Sequence, residues 1–168
     1  MNISEAINNV LPIFLEFKHL EDEDLVNILV EADISISLAR KLVIFMPIAF
    51  GRIVLKEMNI NACDEYEYTQ KKSIFTDIKR KKLTDEPIYR ESYKIASEMA
   101  GKTTTGETFL AIAFRSSEVH SVNELELRGS KLENVVLTPI QILWEIDEES
   151  QPDKIEETQP KNWWEFWK

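Results

Sequence analysis

The sequence predicts an all-α fold, an irregular multi-helix bundle of about six to eight helices, several of them short and capped. Apolar residues recur three and four positions apart through much of the chain, which is the spacing of a helix face. The chain has only 4 glycines and no series of β-branched runs separated by turn dipeptides. We therefore expect a helical domain at 1–146, an acidic linker at 147–161 and an aromatic tail at 162–168.

The first part of the helical domain contains three helical patterns. The first pattern is a set of apolar residues at helical spacing, Ile3, Ile7, Val10, Phe14 and Phe17. Pro12 should bend this element or divide it in two. The acidic run 21–24 favours the start of a second helix, because carboxylates in a first turn interact well with the backbone dipole. A third helix should begin near Leu38, and Pro47 should kink or divide it.

From Asn59 to Leu83 the apolar pattern of the helices is lost. This stretch carries an acidic, tyrosine-rich segment at 64–68 and a basic run at 79–82. The sequence predicts a long excursion from the bundle here, in which the basic run is either a solvated loop or a match to acidic segments of the chain. Nucleic-acid binding is not expected, because the run has no interleaved aromatic residues and the chain has a net charge of −10.

The second part of the domain should begin with a helix that starts near Pro87 and ends at Gly101. Four later positions have Ser or Thr followed three residues on by Glu or Gln, the spacing of a capping box: Thr104 and Glu107, Ser121 and Glu124, Ser130 and Glu133, Thr138 and Gln141. They predict short, stacked helices, the first of which carries one apolar stripe from Phe109 to His120. The segment 140–146 fits helix or strand, because its apolar residues also alternate.

Composition limits the compartment and the class of the protein. The single Cys63 excludes an internal disulfide, and the segment Met1–Glu5 has no basic region leading into an apolar core, so we expect a cytoplasmic protein. The most apolar stretch, Leu42–Leu55, is too short to span a bilayer, which takes about 20 residues. It is interpreted as a buried core helix.

No combination of residues predicts catalysis, a cofactor or a metal site. His19 and His120 are the only histidines, and neither belongs to a paired-ligand motif. Arg52 lies inside an apolar stretch, so it must find a partner; pairing with an acidic side chain is favoured over ligand binding. The alternative function is a small hydrolase or ligand-binding enzyme with its site in a helical cleft, for which His120, Arg52 and local carboxylates are the nameable residues.

The acidic residues Glu21, Asp22, Glu23 and Asp24 are candidate partner-binding residues. The chain has 30 acidic and 20 basic residues, which opposes phosphate backbones and favours a basic protein partner. The alternative for these four residues is a solvated helix face. The sequence leaves the oligomeric state open.

Aromatic residues dominate the tail and are the second set of candidate partner-binding residues: Trp163, Trp164, Phe166 and Trp167. Asn162 can cap an amphipathic turn that groups these side chains. So short a helix is not stable alone in water, which predicts docking onto the chain's own domain, onto a partner or onto a membrane. Membrane contact is disfavoured, because the linker is acidic and anionic lipid repels it.

Together these observations predict a non-enzymatic protein–protein interaction module. Its acidic surface would bind a basic partner, as in an inhibitor, an immunity-type protein or an adaptor, and its tail would be a C-terminal aromatic docking motif.

Overall fold

The computed structural model describes residues 2–72 and 74–142. Six α-helices lie in this part of the chain: α1 Ile3–Glu16, α2 Asp22–Glu31, α3 Ile36–Glu57, α4 Pro87–Met99, α5 Gly106–Ala113 and α6 Ser117–Leu127. Five strands accompany them: β1 Asn61–Ala62, β2 Glu65–Lys72, β3 Phe75–Lys82, β4 Val136–Leu137 and β5 Ile140–Ile142. The all-α prediction is therefore wrong, because the helices pack beside two small sheets in a mixed α/β fold.

The strands form a two-stranded and a three-stranded sheet. Strand β1 pairs in parallel with β4, and the larger sheet has the order β3-β2-β5. In that sheet β2 and β3 form an antiparallel hairpin, while β5 runs parallel to β2 with Tyr66 opposite Ile140. The region predicted as a long excursion is thus regular structure. Periodicity missed it because, within 65–70, β2 turns only Tyr66 and Tyr68 fully into the core, and every residue of β3 from Phe75 to Arg80 is exposed.

Helix α3 forms the centre of the body and contacts α2, α4, α5 and α6. Its side chains are buried on nearly every side, as expected of a helix surrounded by other elements. The helix continues through Pro47, and α1 likewise continues through Pro12, so neither proline divides its element. The burial predicted for Leu42–Leu55 is confirmed for most of its residues. Among the residues described, no helix combines the length and apolar character needed to cross a membrane.

The second part of the chain follows the sequence expectations less closely. Helix α4 starts at Pro87, and Gly101 beyond its end has a φ of 80°, so both predicted boundaries are confirmed. The stripe from Phe109 to His120 is divided between α5 and α6. None of the four predicted capping boxes forms: Ser121, for example, lies inside α6, and its hydroxyl donates to the carbonyl of Ser117. The spacing is common in polar segments, and it caps a helix only where the backbone already turns.

The C-terminal boundaries of the predicted domains lie partly outside the described residues. The segment 140–146 was predicted to be either helix or strand. Its residues 140–142 form β5, and 143–146 lie outside the described residues. The predicted linker at 147–161 and tail at 162–168 also lie outside them. Both stay predictions.

Candidate functional site

A buried arginine joins three elements of the body. The Arg52 side chain on α3 is only 7% exposed. Its Nε donates to Oε1 of Glu118 on α6 at 2.9 Å, and its Nη2 donates to Oε2 at 3.2 Å. Its Nη1 donates to the carbonyl oxygen of Cys63, which follows β1. The expected pairing of Arg52 with an acidic side chain is thus present, and it has the two-point geometry that arginine and carboxylate favour.

Close packing of α3 and α6 brings this pair together. Gly51 precedes the arginine, and a Cβ atom at that position would lie 2.9 Å from both Cβ and Oγ of Ser116. Only a residue without a side chain fits this approach without displacement of its neighbours. The glycine therefore lets the start of α6 come near enough to α3 for Glu118 to reach Arg52.

Burial controls the electrostatics around the arginine. Desolvation raises the pKa of Glu118, and the charge of Arg52 opposes that rise. Desolvation likewise raises the pKa of Tyr89 to about 12, again against the charge of Arg52. Both neighbours are thus shifted toward their neutral forms, which is the expected result of low dielectric around partly compensated charges.

A polar pocket opens beside the arginine. It has a volume of about 460 Å³ and is lined by Arg52, Lys56, Asn59, Ile60, Asn61, Ala62, Asp64, Tyr89 and Tyr93. The rings of Tyr89 and Tyr93 lie 5.9 Å apart, and the carboxylate of Asp64 accepts a hydrogen bond from the hydroxyl of Thr84. The pocket has the size of small-molecule sites and offers amides, phenols and two cations.

A second buried ion pair was missed by sequence reasoning. Nζ of Lys41 on α3 lies 3.9 Å from Oε1 of Glu86, and the two side chains are 3% and 7% exposed. Desolvation raises the pKa of Glu86, while the charge of Lys41 lowers it. The available signal was the position of Lys41 within an apolar helix, the same signal that singled out Arg52. This pair ties α3 to the residue before α4.

The four acidic candidates lie together at the start of α2. Glu21, Asp22, Glu23 and Asp24 are all exposed. Oδ1 of Asp22 accepts from Nη2 of Arg115 at 2.7 Å, and Nη1 of Arg115 donates to the carbonyl of Lys18. We call these four residues the acidic turn. Arg115 fixes the position of one of its carboxylates.

An apolar pocket of about 240 Å³ adjoins the acidic turn. It is lined by Asp22, Val43, Ile44, Pro47, Ile48, Arg115, Ser116, Ser117, Ile140, Gln141 and Ile142. Asp22 and Arg115 form its charged border, whereas the side chains from α3 and β5 are mainly aliphatic. Sequence reasoning missed the pocket because its walls come from four separate segments.

The hairpin of β2 and β3 exposes several large hydrophobic side chains. We call it the hairpin arm. Ile74, Phe75 and Ile78 are 87%, 68% and 72% exposed. Arg80 forms ion pairs with Glu65 and Glu67 across the two strands, so part of the basic run is matched by acidic residues nearby. The other part stays available to solvent, since Lys79 and Lys82 are exposed.

The remaining candidates do not gather at one site. His19 and His120 are both exposed, and His120 lies on α6, apart from the residues that line the polar pocket. The described residues contain no group of three His, Cys, Asp or Glu side chains that could hold a metal. The aromatic candidates lie outside the described residues: Trp163, Trp164, Phe166 and Trp167.

Comparisons with known proteins give no relative: the chain matches no family model, no curated protein and no solved structure. Its function must therefore be inferred from the residues themselves.

Proposed function

We propose that this protein is a non-enzymatic protein–protein interaction module that binds a basic partner, in the manner of an inhibitor, an immunity-type protein or an adaptor. The observation that carries the proposal is the acidic turn beside the apolar pocket. Interfaces commonly bury one anchoring side chain in a pocket and surround it with a charged rim. A basic partner segment with one apolar side chain matches this arrangement.

Two further features support this binding mode. The ion pair of Asp22 with Arg115 holds part of the acidic turn in place before a partner arrives, which reduces the conformational entropy lost on binding. The net charge of −10 would attract a basic partner over a distance and speed its association. Salt should therefore weaken the interaction mainly through its association rate.

Support for a non-enzymatic role comes from the positions of the groups that catalysis would need. Glu118 is engaged by Arg52 inside the body, whereas His120 is exposed on the same helix. The two residues thus form no acid–base pair within hydrogen-bond reach of each other. The cytoplasm is the compartment that we propose, because Cys63 is a free thiol.

The tail is proposed as a second docking element of the same module. Its aromatic residues are Trp163, Trp164, Phe166 and Trp167, which lie outside the described residues. Docking in cis onto the chain's own domain and docking in trans onto a partner both fit its composition.

The test is a comparative affinity purification with the full chain and a charge-reversal variant, Glu21→Lys/Glu23→Lys/Asp24→Lys. Asp22 is kept, because it bonds Arg115. We expect basic proteins to be captured by the native chain and lost with the variant. The matched control, Glu124→Lys/Glu126→Lys/Glu133→Lys, makes the same charge change at exposed sites elsewhere and should retain them. Capture of acidic proteins only, or equal loss in both variants, would contradict the proposal.

A second candidate function is binding of a small anion in the polar pocket. The observation in its favour is that Lys56, two asparagines and two tyrosines line one pocket, next to Arg52, which is already paired with Glu118. A panel of small organic anions should then raise the Tm of the native chain, and Lys56→Gln should remove that rise. Lys56 is exposed, so this variant should keep the fold intact. An unchanged Tm with every anion would eliminate this candidate.

A further inference from the structure

We propose that the outer edge of β3 binds an extended peptide segment with an apolar half and an acidic half, by addition of a strand to the three-stranded sheet. The order β3-β2-β5 places β3 at one end of this sheet. Within the described residues, no strand pairs with the side of β3 that faces away from β2. Alternate backbone N–H and C=O groups along that side are therefore available to a partner strand.

The length of the edge is sufficient for recognition. Strand β3 has eight residues, which corresponds to about 26 Å of extended chain. Peptides that add to a sheet edge gain affinity from main-chain hydrogen bonds and specificity from alternate side chains. An edge of this length offers several main-chain hydrogen bonds and several side-chain contacts.

The two halves of β3 differ in chemistry, and this difference specifies the peptide. Phe75 and Ile78 in the first half are largely exposed, and strand alternation places them on opposite faces of the sheet. The second half, 79–82, consists of basic residues only. Apolar and opposite-charge pairs across neighbouring strands both stabilise a sheet. The favoured segment therefore has apolar residues opposite 75–78 and acidic residues opposite 79–82.

A second copy of the chain is a poorer occupant of the same edge. Strand β3 contains four basic residues and one acidic residue, so two copies of it would bring together strands of equal positive charge. In the fully overlapping antiparallel pair that two-fold symmetry gives, the basic half of each copy lies opposite the apolar half of the other, so the lysines gain no acidic partners. An acidic segment instead places carboxylates opposite the exposed cations Lys79 and Lys82.

The competing explanation is that the lysines only protect the edge. Charged side chains, lysine above all, commonly prevent edge strands from pairing with other chains. A protected edge binds neither acidic nor basic peptides. Strand addition predicts selectivity for one charge and new hydrogen bonds to the backbone of β3.

The experiment uses the full chain and a fluorescein-labelled peptide of about ten residues, with Val and Thr in one half and alternating Glu and Thr in the other. A second peptide has each Glu replaced by Lys. Binding is followed by fluorescence anisotropy, and hydrogen exchange by NMR reports on the amides of β3. We expect the acidic peptide to bind, the basic one not to bind, and alternate amides at 75–82 to gain protection.

Two charge-reversal variants separate the edge from general electrostatics. Lys79→Glu/Lys82→Glu changes exposed residues of the arm and should weaken binding at least about tenfold. Lys94→Glu/Lys102→Glu makes the same change at exposed positions on and after α4, and should leave the affinity within about twofold. Charge reversal of the acidic turn should leave the affinity for the acidic peptide unchanged as well. A failure of this proposal can therefore be distinguished from a failure of the proposed function.

Three results would overturn the proposal. The first is equal binding of both peptides, and the second is binding without protection of the β3 amides. The third is protection of these amides before the peptide is added, which would assign the edge to a second copy or to the chain's own acidic segment at 145–157.

Discussion

Helix α3 and strand β3 represent the two extremes of burial in the described structure. Most residues of α3 are buried, including the charged Lys41 and Arg52, and each of these cations has an acidic partner inside the body. In β3 the residues from Phe75 to Arg80 are exposed, and hydrophobic side chains face solvent. The two elements thus use the same kinds of residues in opposite environments.

The comparison indicates that the buried residues of α3 stabilise the fold, whereas the exposed residues of β3 are available to bind other molecules. Charges inside the body must be paired, because an unpaired buried charge destabilises the fold strongly. The exposed apolar and charged residues of β3 contribute little to the core, so their substitution should leave the fold intact while it alters contacts with other molecules. The following substitutions test that division.

The largest effect is expected from Arg52→Met. It leaves Glu118 buried without its cation, and loss of one partner of a buried pair typically destabilises a protein by about 3 to 5 kcal/mol. Urea denaturation measures the change. The double variant Arg52→Met/Glu118→Leu removes both charges and should recover much of the lost stability. If Arg52→Met alone kept native stability, the body would tolerate an unpaired buried charge. The proposed difference between the body and the exposed strand β3 would then be wrong.

A smaller, pH-dependent effect is expected at Tyr89. Its folded pKa of about 12 lies above the ordinary value of 10, so the stabilisation that it provides is present below pH 10 and is lost as the pH rises toward 12. The loss approaches about 3 kcal/mol, since each pKa unit corresponds to about 1.4 kcal/mol. The free energy of unfolding of the native chain should fall between about pH 9 and about pH 11.5, and Tyr89→Phe should remove the part of that fall that comes from Tyr89.

Tyr93→Phe is the matched control for this measurement, because it removes a hydroxyl from the same pocket at a less buried residue. Because Tyr93 also contributes to the raised pKa of Tyr89, Tyr93→Phe should reduce the pH dependence of stability, but less than Tyr89→Phe does. Identical pH profiles for Tyr89→Phe and the native chain would argue against burial as the cause.

The smallest effect is expected on the arm. Ile78→Thr and Lys79→Thr change exposed residues of β3 and should alter the free energy of unfolding by no more than about 0.5 kcal/mol. The matched substitution in the body, Ile112→Thr, places a hydroxyl at a fully buried site and should destabilise by at least about 2 kcal/mol. Equal losses of stability in the two regions would show that the exposed residues of β3 contribute to the fold as much as the core does.

The candidate site was predictable only in part. Arg52 was identifiable because a charge in an apolar stretch needs a partner, and the acidic turn was identifiable as a run of carboxylates at a helix start. The identity of Glu118 was not predictable, because 66 positions separate it from Arg52 and many acidic residues compete in the sequence. The pockets were also beyond prediction, since their walls come from several elements.

Local sequence signals were sufficient to predict the helices with strong apolar periodicity, α1 to α4, and the helix boundaries at Pro87 and Gly101. These are local properties, set by side-chain spacing and backbone preference. The hairpin arm, the division of α5 from α6 and the partner of Arg52 depend on tertiary contacts and became visible only in the folded structure. Strand pairing and burial depend on residues that are distant in sequence, so the local pattern of 59–83 carried too little information to predict them.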